Sequence, residues 1–285
     1  MISGAFYGKK KRMGRLFADN KILIVPVDDS LIFGPEKGLY NLSKTLESIV
    51  NGSPNAILGF KGSYSILMDE VKGIKTPFIY NLTASTTSGQ HVQKVKIGTV
   101  KEALIMGADC VAAHINYTSD FENEMISSLS EIISEADGWG MPTLAISYPR
   151  KKNPDGTEEN YNKEKKENED LYTRIICRCV RTSAELGADI IKTQYTGSAQ
   201  SFEKVVKCSL GKPVVIAGGP VISVPESYKM AKEAMDAGAA GISYGRNIFN
   251  SENIEAYLEG IKAIIFGGAS VSEAVELFEE KKNGI

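Results

Sequence analysis

The sequence predicts a single (β/α)8 barrel, an α/β fold of parallel strands, on three observations. Eight short apolar runs recur along the chain, with helical segments between most of them. The phrases MGADC, LGADI and AGAAG mark equivalent helix-to-strand junctions. The chain has 285 residues, and an α/β barrel is the usual way to hold such a length as one domain. A doubly wound open sheet is the alternative, which eight strands disfavour.

The predicted strands are mostly apolar rather than alternating, as in parallel strands that are buried on both faces. In chain order they occupy residues 22–28, 56–60, 77–82, 110–116, 143–149, 189–195, 213–219 and 241–246. Helical segments are predicted at 99–108, 166–187 and 226–238, and each has near its end the Gly typical of a left-handed C-terminal cap. Two further helices, within residues 252–282, are expected to pack outside the barrel.

Two segments of the predicted domain, residues 1–285, fall outside this repeat. Residues 1–20 form an N-terminal extension, in which the basic run 9–15 is expected to be a solvated tail. Residues 150–170 form a polar loop after the fifth strand, with Pro-Asp-Gly turn chemistry. In a barrel this loop lies on the face that carries the active site. A disordered surface excursion and a mobile lid over the mouth both remain open.

Composition excludes several classes of function. The net charge of −2 creates no strong field for nucleic acid or an anionic membrane. No run approaches the roughly 20 apolar residues of a membrane span, and the N-terminus lacks a secretory hydrophobic region, so a cytoplasmic protein is expected. Cys110, Cys177 and Cys179 are predicted to act as small hydrophobes. Because His91 and His114 are the only histidines, no metal site is expected.

Lys192 lies inside the predicted sixth strand, among residues typical of a buried core. Desolvation disfavours an ammonium group and lowers its pKa. A neutral amine can add to a ketone or aldehyde and form a Schiff base, which then stabilises a neighbouring carbanion. The alternative is a lysine that extends outwards to solvent or pairs with a carboxylate.

The ends of the first and fifth strands carry further candidates for chemistry. Asp28 and Asp29 lie at the end of the first strand, and Tyr148 and Arg150 lie at the end of the fifth. At the C-terminal tips of barrel strands, such side chains point into the mouth, where a carboxylate and a phenol can move protons. The alternatives are a helix cap or Asx-turn for Asp28 and a packed rim aromatic for Tyr148.

Glycines lie at the ends of the seventh and eighth strands, Gly218 and Gly219 in AGGP and Gly245 in YGRN. Glycine lets the backbone approach an anion closely, and a phosphate site after strands seven and eight recurs in barrels. Arg246 would add a charge-assisted contact. These turns therefore predict a phosphate-binding site.

In order and spacing, ELGADIIKTQYTG, GMPTLAISYPR, PVVIAGGP and AGAAGISYGRNIF resemble the DhnA-type, or archaeal-type, class I aldolases. The resemblance runs from about Lys21 to Ala274. It implies a (β/α)8 barrel in homo-oligomers, pentamers or decamers, that act on a small phosphorylated sugar through a covalent lysine imine without cofactor or metal. By resemblance, Lys192 is the imine-forming lysine, Tyr148 the acid–base tyrosine and Asp28 the strand-one aspartate.

This family contains several chemistries, and the resemblance leaves them open. The first expectation is cleavage of fructose 1,6-bisphosphate to dihydroxyacetone phosphate and glyceraldehyde 3-phosphate. The alternative is a transaldolase-type 2-amino-3,7-dideoxy-D-threo-hept-6-ulosonate synthase that uses a deoxyketohexose phosphate and aspartate semialdehyde. A thiolase-like relative and a non-catalytic barrel that binds a phosphorylated ligand are less expected. The family usually has Asp-His-Gly where this chain has Asp28-Asp29-Ser30, which leaves the substrate in most doubt.

Overall fold

All eight predicted strands form and close into a parallel barrel in the computed structural model, which describes residues 4–73, 75–153 and 158–284. Each strand pairs with its neighbours in the chain, and the first pairs with the last. The predicted (β/α)8, or TIM-barrel, fold is therefore confirmed. The strands are β1 (Ile22–Pro26), β2 (Ala56–Gly59), β3 (Phe78–Asn81), β4 (Cys110–Tyr117), β5 (Thr143–Pro149), β6 (Ile190–Thr193), β7 (Val214–Ala217) and β8 (Gly241–Ser243).

Helices alternate with these strands and cover the outside of the barrel. They are α1 (Gly4–Leu16), α2 (Asp29–Phe33), α3 (Leu42–Asn51), α4 (Lys61–Asp69), α5 (Val100–Met106), α6 (Glu122–Trp139), α7 (Asn162–Glu167), α8 (Glu169–Glu185), α9 (Ala199–Lys207), α10 (Val224–Asp236), α11 (Arg246–Phe249), α12 (Ile254–Gly267) and α13 (Val271–Asn283). The two predicted C-terminal helices are α12 and α13. The predicted helix 166–187 is instead interrupted at Asn168, whose side chain accepts a hydrogen bond from the backbone N–H of Leu171 and caps α8.

Several strands end earlier than predicted. The predicted strand 189–195 pairs only over Ile190–Thr193, and 241–246 only over Gly241–Ser243. The chain leaves the hydrogen-bonded ladder there and enters the loops of the mouth, so the residues beyond are free to line a site rather than a sheet.

The polar loop 150–170 contains short elements where it is described. Residues 151–152 pair in antiparallel fashion with 158–159, and α7 follows. Residues 154–157 lie outside the described part of the chain. The hypothesis that this loop closes over the mouth stays a prediction.

The strands separate two apolar clusters. Outward-facing side chains pack against the helices in the larger cluster. Inward-facing side chains fill the barrel; they are Leu16, Ile22, Ile24, Ala56, Leu58, Ile79, Cys110, Ala112, Leu144, Ile146, Ile190 and Val215. Of the predicted small hydrophobes, Cys110 and Cys179 are buried and Cys177 is half-buried. Among the described helices, none is long and apolar enough to cross a bilayer.

The prediction of a solvated basic tail at residues 9–15 is wrong. These residues belong to α1, which packs against α6, and Leu16 at its end is fully buried in the barrel cluster. Lys9 Nζ binds Asp189 Oδ2 at 2.8 Å, and Arg15 forms a salt bridge with Asp109. Lys9 and Arg15 thus have acidic partners at the N-terminal ends of β6 and β4, so the run packs under the barrel and is not a free tail.

Candidate active site

The interior of the barrel is apolar along most of its length and becomes polar towards the C-terminal ends of the strands. There a pocket of about 100 Å³ is lined by all nine residues that the sequence predicts for a site: Asp28, Asp29, Tyr148, Arg150, Lys192, Gly218, Gly219, Gly245 and Arg246. Its other lining residues are Pro26, Ile32, Phe33, His91, His114, Ile146, Ala217 and Ser243. Residues from seven of the eight strands, or from the loops that follow them, thus converge on one cavity.

Lys192 sits on β6 with the same inward orientation as Ile190, while Ile191 between them packs outwards. The side chain therefore points into the barrel, and its residue is only 7% exposed. Lys192 forms no salt bridge with any described residue, which excludes the alternative of a lysine that reaches the outer surface or is neutralised by a direct ion pair.

Electrostatics in the pocket favour a neutral amine on Lys192. Burial lowers the pKa of Lys192, and the positive charge of Arg246 acts in the same direction. The carboxylates of Asp28 and Asp29 oppose this effect. The balance increases the fraction of nucleophilic amine near neutral pH relative to an exposed lysine.

Tyr148 lies on β5, the strand next to Lys192, and His114 lies on β4, one strand further around the barrel. Lys192 and His114 both pair with Ile146, from opposite sides of β5, so their Cα atoms are about 10 Å apart. Tyr148 lies two residues beyond Ile146 on β5, one step nearer the mouth. The rings of Tyr148 and His114 meet edge to face at 5.0 Å. Burial raises the pKa of Tyr148 and keeps its phenol protonated.

The two carboxylates after β1 have different surroundings. Asp28 is buried and accepts a hydrogen bond from Asn81 Nδ2 at 3.0 Å, and it makes no capping hydrogen bond to α2. Asp29 Oδ2 lies 3.3 Å from Arg246 Nε. Burial and the nearby charge of Asp28 raise the pKa of Asp29 to about 6, against the opposing influence of Arg246 and Lys192. Arg246 also lies over the ring of Phe33 at 5.7 Å.

The glycine turns after β7 and β8 are tightly built. Gly219 has a φ of +67°, which favours glycine, and a Cβ on Gly218 would lie 3.0 Å from the ring of Tyr244. Asn247 Nδ2 donates to the Gly218 carbonyl at 3.0 Å. These contacts give the glycines a structural role in addition to the predicted one, and they fix the turn against the pocket.

Polar groups also gather at the mouth near β4 and β5. Arg150 Nη1 contacts His91 Nε2, and Lys94 Nζ donates to Ser85 Oγ at 2.6 Å while lying 3.3 Å from His91 Nδ1. Burial and the charges of Lys94 and Arg150 lower the pKa of His91 to about 3, so its imidazole is neutral. Of these residues, Arg150 and His91 line the pocket, together with the glycine turns.

From the sequence, we considered the two histidines only as possible metal ligands and did not predict that they line the pocket. His114 follows Cys110 and Ala112 at intervals of two, and both of those face the barrel interior. That parity is the signal that could have placed His114 in the pocket. Within the described residues, no group of three or more His, Cys, Asp or Glu side chains is arranged to hold a metal ion.

Comparison with known proteins agrees with this geometry. Residues 22–251 match the family described as DeoC/LacD family aldolase. The chain belongs to the DeoC/LacD family of aldolases. It is thus a member of a class I, Schiff-base-forming aldolase family, and the predicted enzyme class is confirmed at that level.

Two relatives in this aldolase family are named 2-amino-3,7-dideoxy-D-threo-hept-6-ulosonate synthase. The protein from Halobacterium salinarum is 34% identical over 269 residues, which cover 94% of this chain and 95% of that one. Synthase 1 from Archaeoglobus fulgidus is 34% identical over 274 residues, with the same two coverages. A solved archaeal fructose 1,6-bisphosphate aldolase superposes with a TM-score of 0.79 at 24% identity, covering 91% of this chain and 100% of that chain. The latter similarity shows the shared fold.

Proposed function

We propose that this aldolase is a transaldolase of the heptulosonate synthase type. The single observation that carries the proposal is the inward-facing, buried Lys192 with a lowered pKa, next to Tyr148 and Asp28. The relatives at 34% identity over nearly their whole length favour this substrate class over fructose 1,6-bisphosphate, which was the first expectation from the sequence.

The product named for those relatives determines which bond must form. A 2-amino-3,7-dideoxy-hept-6-ulosonate has hydroxyls at C4 and C5 and a ketone at C6, so its aldol bond joins C4 to C5. The C1–C4 half is aspartate semialdehyde, and the C5–C7 half is the enamine of hydroxyacetone. A lysine imine supplies that enamine without any other cofactor.

The proposed reaction consists of a cleavage and a condensation, and both take place on Lys192. Lys192 adds to the keto carbon of the deoxyketohexose phosphate, and loss of water gives an iminium. Removal of the proton from the β-hydroxyl breaks the C–C bond, releases a phosphorylated aldehyde and leaves the enamine on Lys192. The enamine attacks aspartate semialdehyde, whose oxygen takes up a proton, and hydrolysis frees the amine. Tyr148, with Asp28 close by, moves these protons, a role typically worth 10²–10⁴-fold.

Phosphate recognition is proposed for the turns at Gly218–Gly219 and Gly245–Arg246. Gly218, Gly219, Gly245 and Arg246 all line the pocket. Asp29 competes for Arg246, because the two side chains already lie 3.3 Å apart. We infer that Asp29 weakens phosphate binding at this turn, and that Arg150 on the opposite side of the pocket contributes to binding a substrate anion.

Fructose 1,6-bisphosphate cleavage is the second candidate. The observation in its favour is the pair of glycine turns with Arg246, which suits a phosphate on the ketone half of the substrate. In that case Lys192 adds to the C2 carbonyl and the C3–C4 bond breaks. The homo-oligomer and the cytoplasmic location that were expected from the sequence stay predictions.

A substrate panel tests the proposal. The purified protein is offered fructose 1,6-bisphosphate, fructose 1-phosphate and the deoxyketohexose phosphate, each with and without aspartate semialdehyde, and products are identified by mass spectrometry. We expect a seven-carbon amino acid only when the deoxyketohexose phosphate and aspartate semialdehyde are both present. Dihydroxyacetone phosphate from fructose 1,6-bisphosphate, without formation of that product, would instead establish the second candidate. Lys192→Met provides the inactive control.

A further inference from the structure

His114 is a polar pocket residue that the scheme above leaves unused. Its Nε2 is buried and has no hydrogen-bond partner among the described residues. An unpaired buried polar atom costs free energy, so such an atom at a pocket wall is well explained by a ligand that completes its hydrogen bonding.

The position of His114 indicates which part of the substrate it meets. Going around the barrel, Lys192 on β6 has the glycine turns of β7 and β8 on one side and Tyr148 and His114 on the other. The ketone fragment is bound covalently to Lys192. The carbonyl group of the aldehyde that leaves or enters must lie beside Tyr148, the group proposed to move its proton, and His114 stands next to Tyr148.

The protonation state of His114 suits a neutral donor. Burial lowers the pKa of His114, and the charges of Lys94, Arg150 and Lys192 act in the same direction, so the imidazole is uncharged at neutral pH. A neutral imidazole can polarise a carbonyl by donating a hydrogen bond, and it does not compete with Tyr148 as the acid.

Resting on the proposed function, we propose that His114 binds the aldehyde oxygen of the acceptor through Nε2–H and orients that carbonyl towards the enamine on Lys192. His114 is then a substrate-contacting residue that acts in the carbon–carbon bond step. It plays no part in forming the imine or the enamine, because those steps involve the ketone fragment alone.

The test separates the two half-reactions. In D2O, an aldolase that forms an enamine exchanges the α-hydrogens of a bound ketone for deuterium without any aldehyde. Exchange into hydroxyacetone and dihydroxyacetone phosphate is followed by NMR, and carbon–carbon bond formation is measured with aspartate semialdehyde and with glyceraldehyde 3-phosphate. His114→Phe keeps a ring against Tyr148 and removes the donor, whereas His114→Gln keeps a donor.

We expect His114→Phe to exchange deuterium within about twofold of the wild-type rate and to form the new bond about 10²-fold more slowly, as for loss of one donor to a developing oxyanion. His114→Gln should recover at least about tenfold of that loss. Bond formation within about twofold of wild type in His114→Phe overturns the assignment, and so does an equal fall in both rates. Failure of the wild-type protein to exchange either ketone overturns the proposed function itself, and this assignment with it.

Discussion

The two ends of the barrel are built from the same strands but differ in what those strands present. At the N-terminal end, the interior holds Ile22, Leu144 and Ile190, and α1 closes it with the fully buried Leu16. Two residues further along β6, the same inward direction holds Lys192. The N-terminal end of the barrel therefore contributes to stability. The C-terminal end buries polar groups at a cost in free energy, as the proposed chemistry requires.

The difference shows how a barrel separates folding from function. Apolar burial at the bottom is worth roughly 25 cal/mol per Å² and requires no special geometry beyond good packing. At the top, desolvation moves the pKa values of Lys192, Asp29 and Tyr148 away from their ordinary values. Substitutions at the two ends should consequently have opposite signatures in stability and activity.

Leu16→Ala tests whether the N-terminal end of the barrel contributes to stability, and it has the larger expected effect on stability. Removal of a fully buried leucine leaves a cavity beneath the barrel, and we expect the free energy of unfolding to fall by about 2–5 kcal/mol. Chemical denaturation measures this change. Turnover by the folded fraction at low temperature should remain near the wild-type value, because Leu16 is absent from the pocket lining.

Leu210→Ala is the matched control, since Leu210 is about half exposed. It should change the free energy of unfolding by less than about 0.5 kcal/mol. Equal effects of the two substitutions would show that α1 does not close the barrel as described, and that residues 9–15 behave as the solvated tail first expected.

Asp29→Asn tests the charges at the C-terminal end of the barrel, and its expected effect is smaller. Because the pKa of Asp29 is raised to about 6, the carboxylate loses its charge as pH falls through 6, and Arg246 then becomes available to an anion. Sulfate affinity of the wild-type protein should therefore increase between pH 7.5 and pH 5. We expect about a tenfold change, equivalent to one charge-assisted hydrogen bond of about 1.5 kcal/mol. Calorimetric titration with sulfate measures it.

In Asp29→Asn, sulfate should bind at pH 7.5 about as tightly as it binds to the wild-type protein at pH 5. Protonation of Lys192 also favours anions at low pH, but that contribution persists in the variant, so the difference between the proteins isolates Asp29. The same pH dependence in both proteins would contradict the inference that Asp29 restrains Arg246.

The barrel and the approximate position of its strands could be predicted from the sequence because both follow from local patterns, although several strands end earlier than predicted. Apolar runs give the strands, and in a parallel barrel all C-terminal strand ends meet at one face. Lys192, Tyr148 and Asp28 were found for this reason, as polar residues at or within strand ends. The roles assigned to them remain predictions, since the geometry shows only that they line one pocket.

What the sequence missed depends on contacts between distant residues. The basic run before Leu16 reads as solvated until Asp109 and Asp189, from two GAD junctions, provide its partners. His114 lies 34 positions from Tyr148 in the sequence, and only the closed barrel brings the two rings together. The pairing of Asp29 with Arg246 joins residues more than 200 positions apart, so the local sequence gives no indication that one restrains the other.

Borohydride trapping followed by peptide mass spectrometry tests directly whether Lys192 forms an imine with a ketone. The protein is incubated with hydroxyacetone or dihydroxyacetone phosphate, reduced with sodium borohydride and digested. We expect a reduced adduct on the peptide that contains Lys192, and no adduct in Lys192→Met. Lys207→Ala, which removes an exposed lysine, should be labelled like the wild type. An adduct on another lysine, or turnover retained by Lys192→Met, would contradict this expectation.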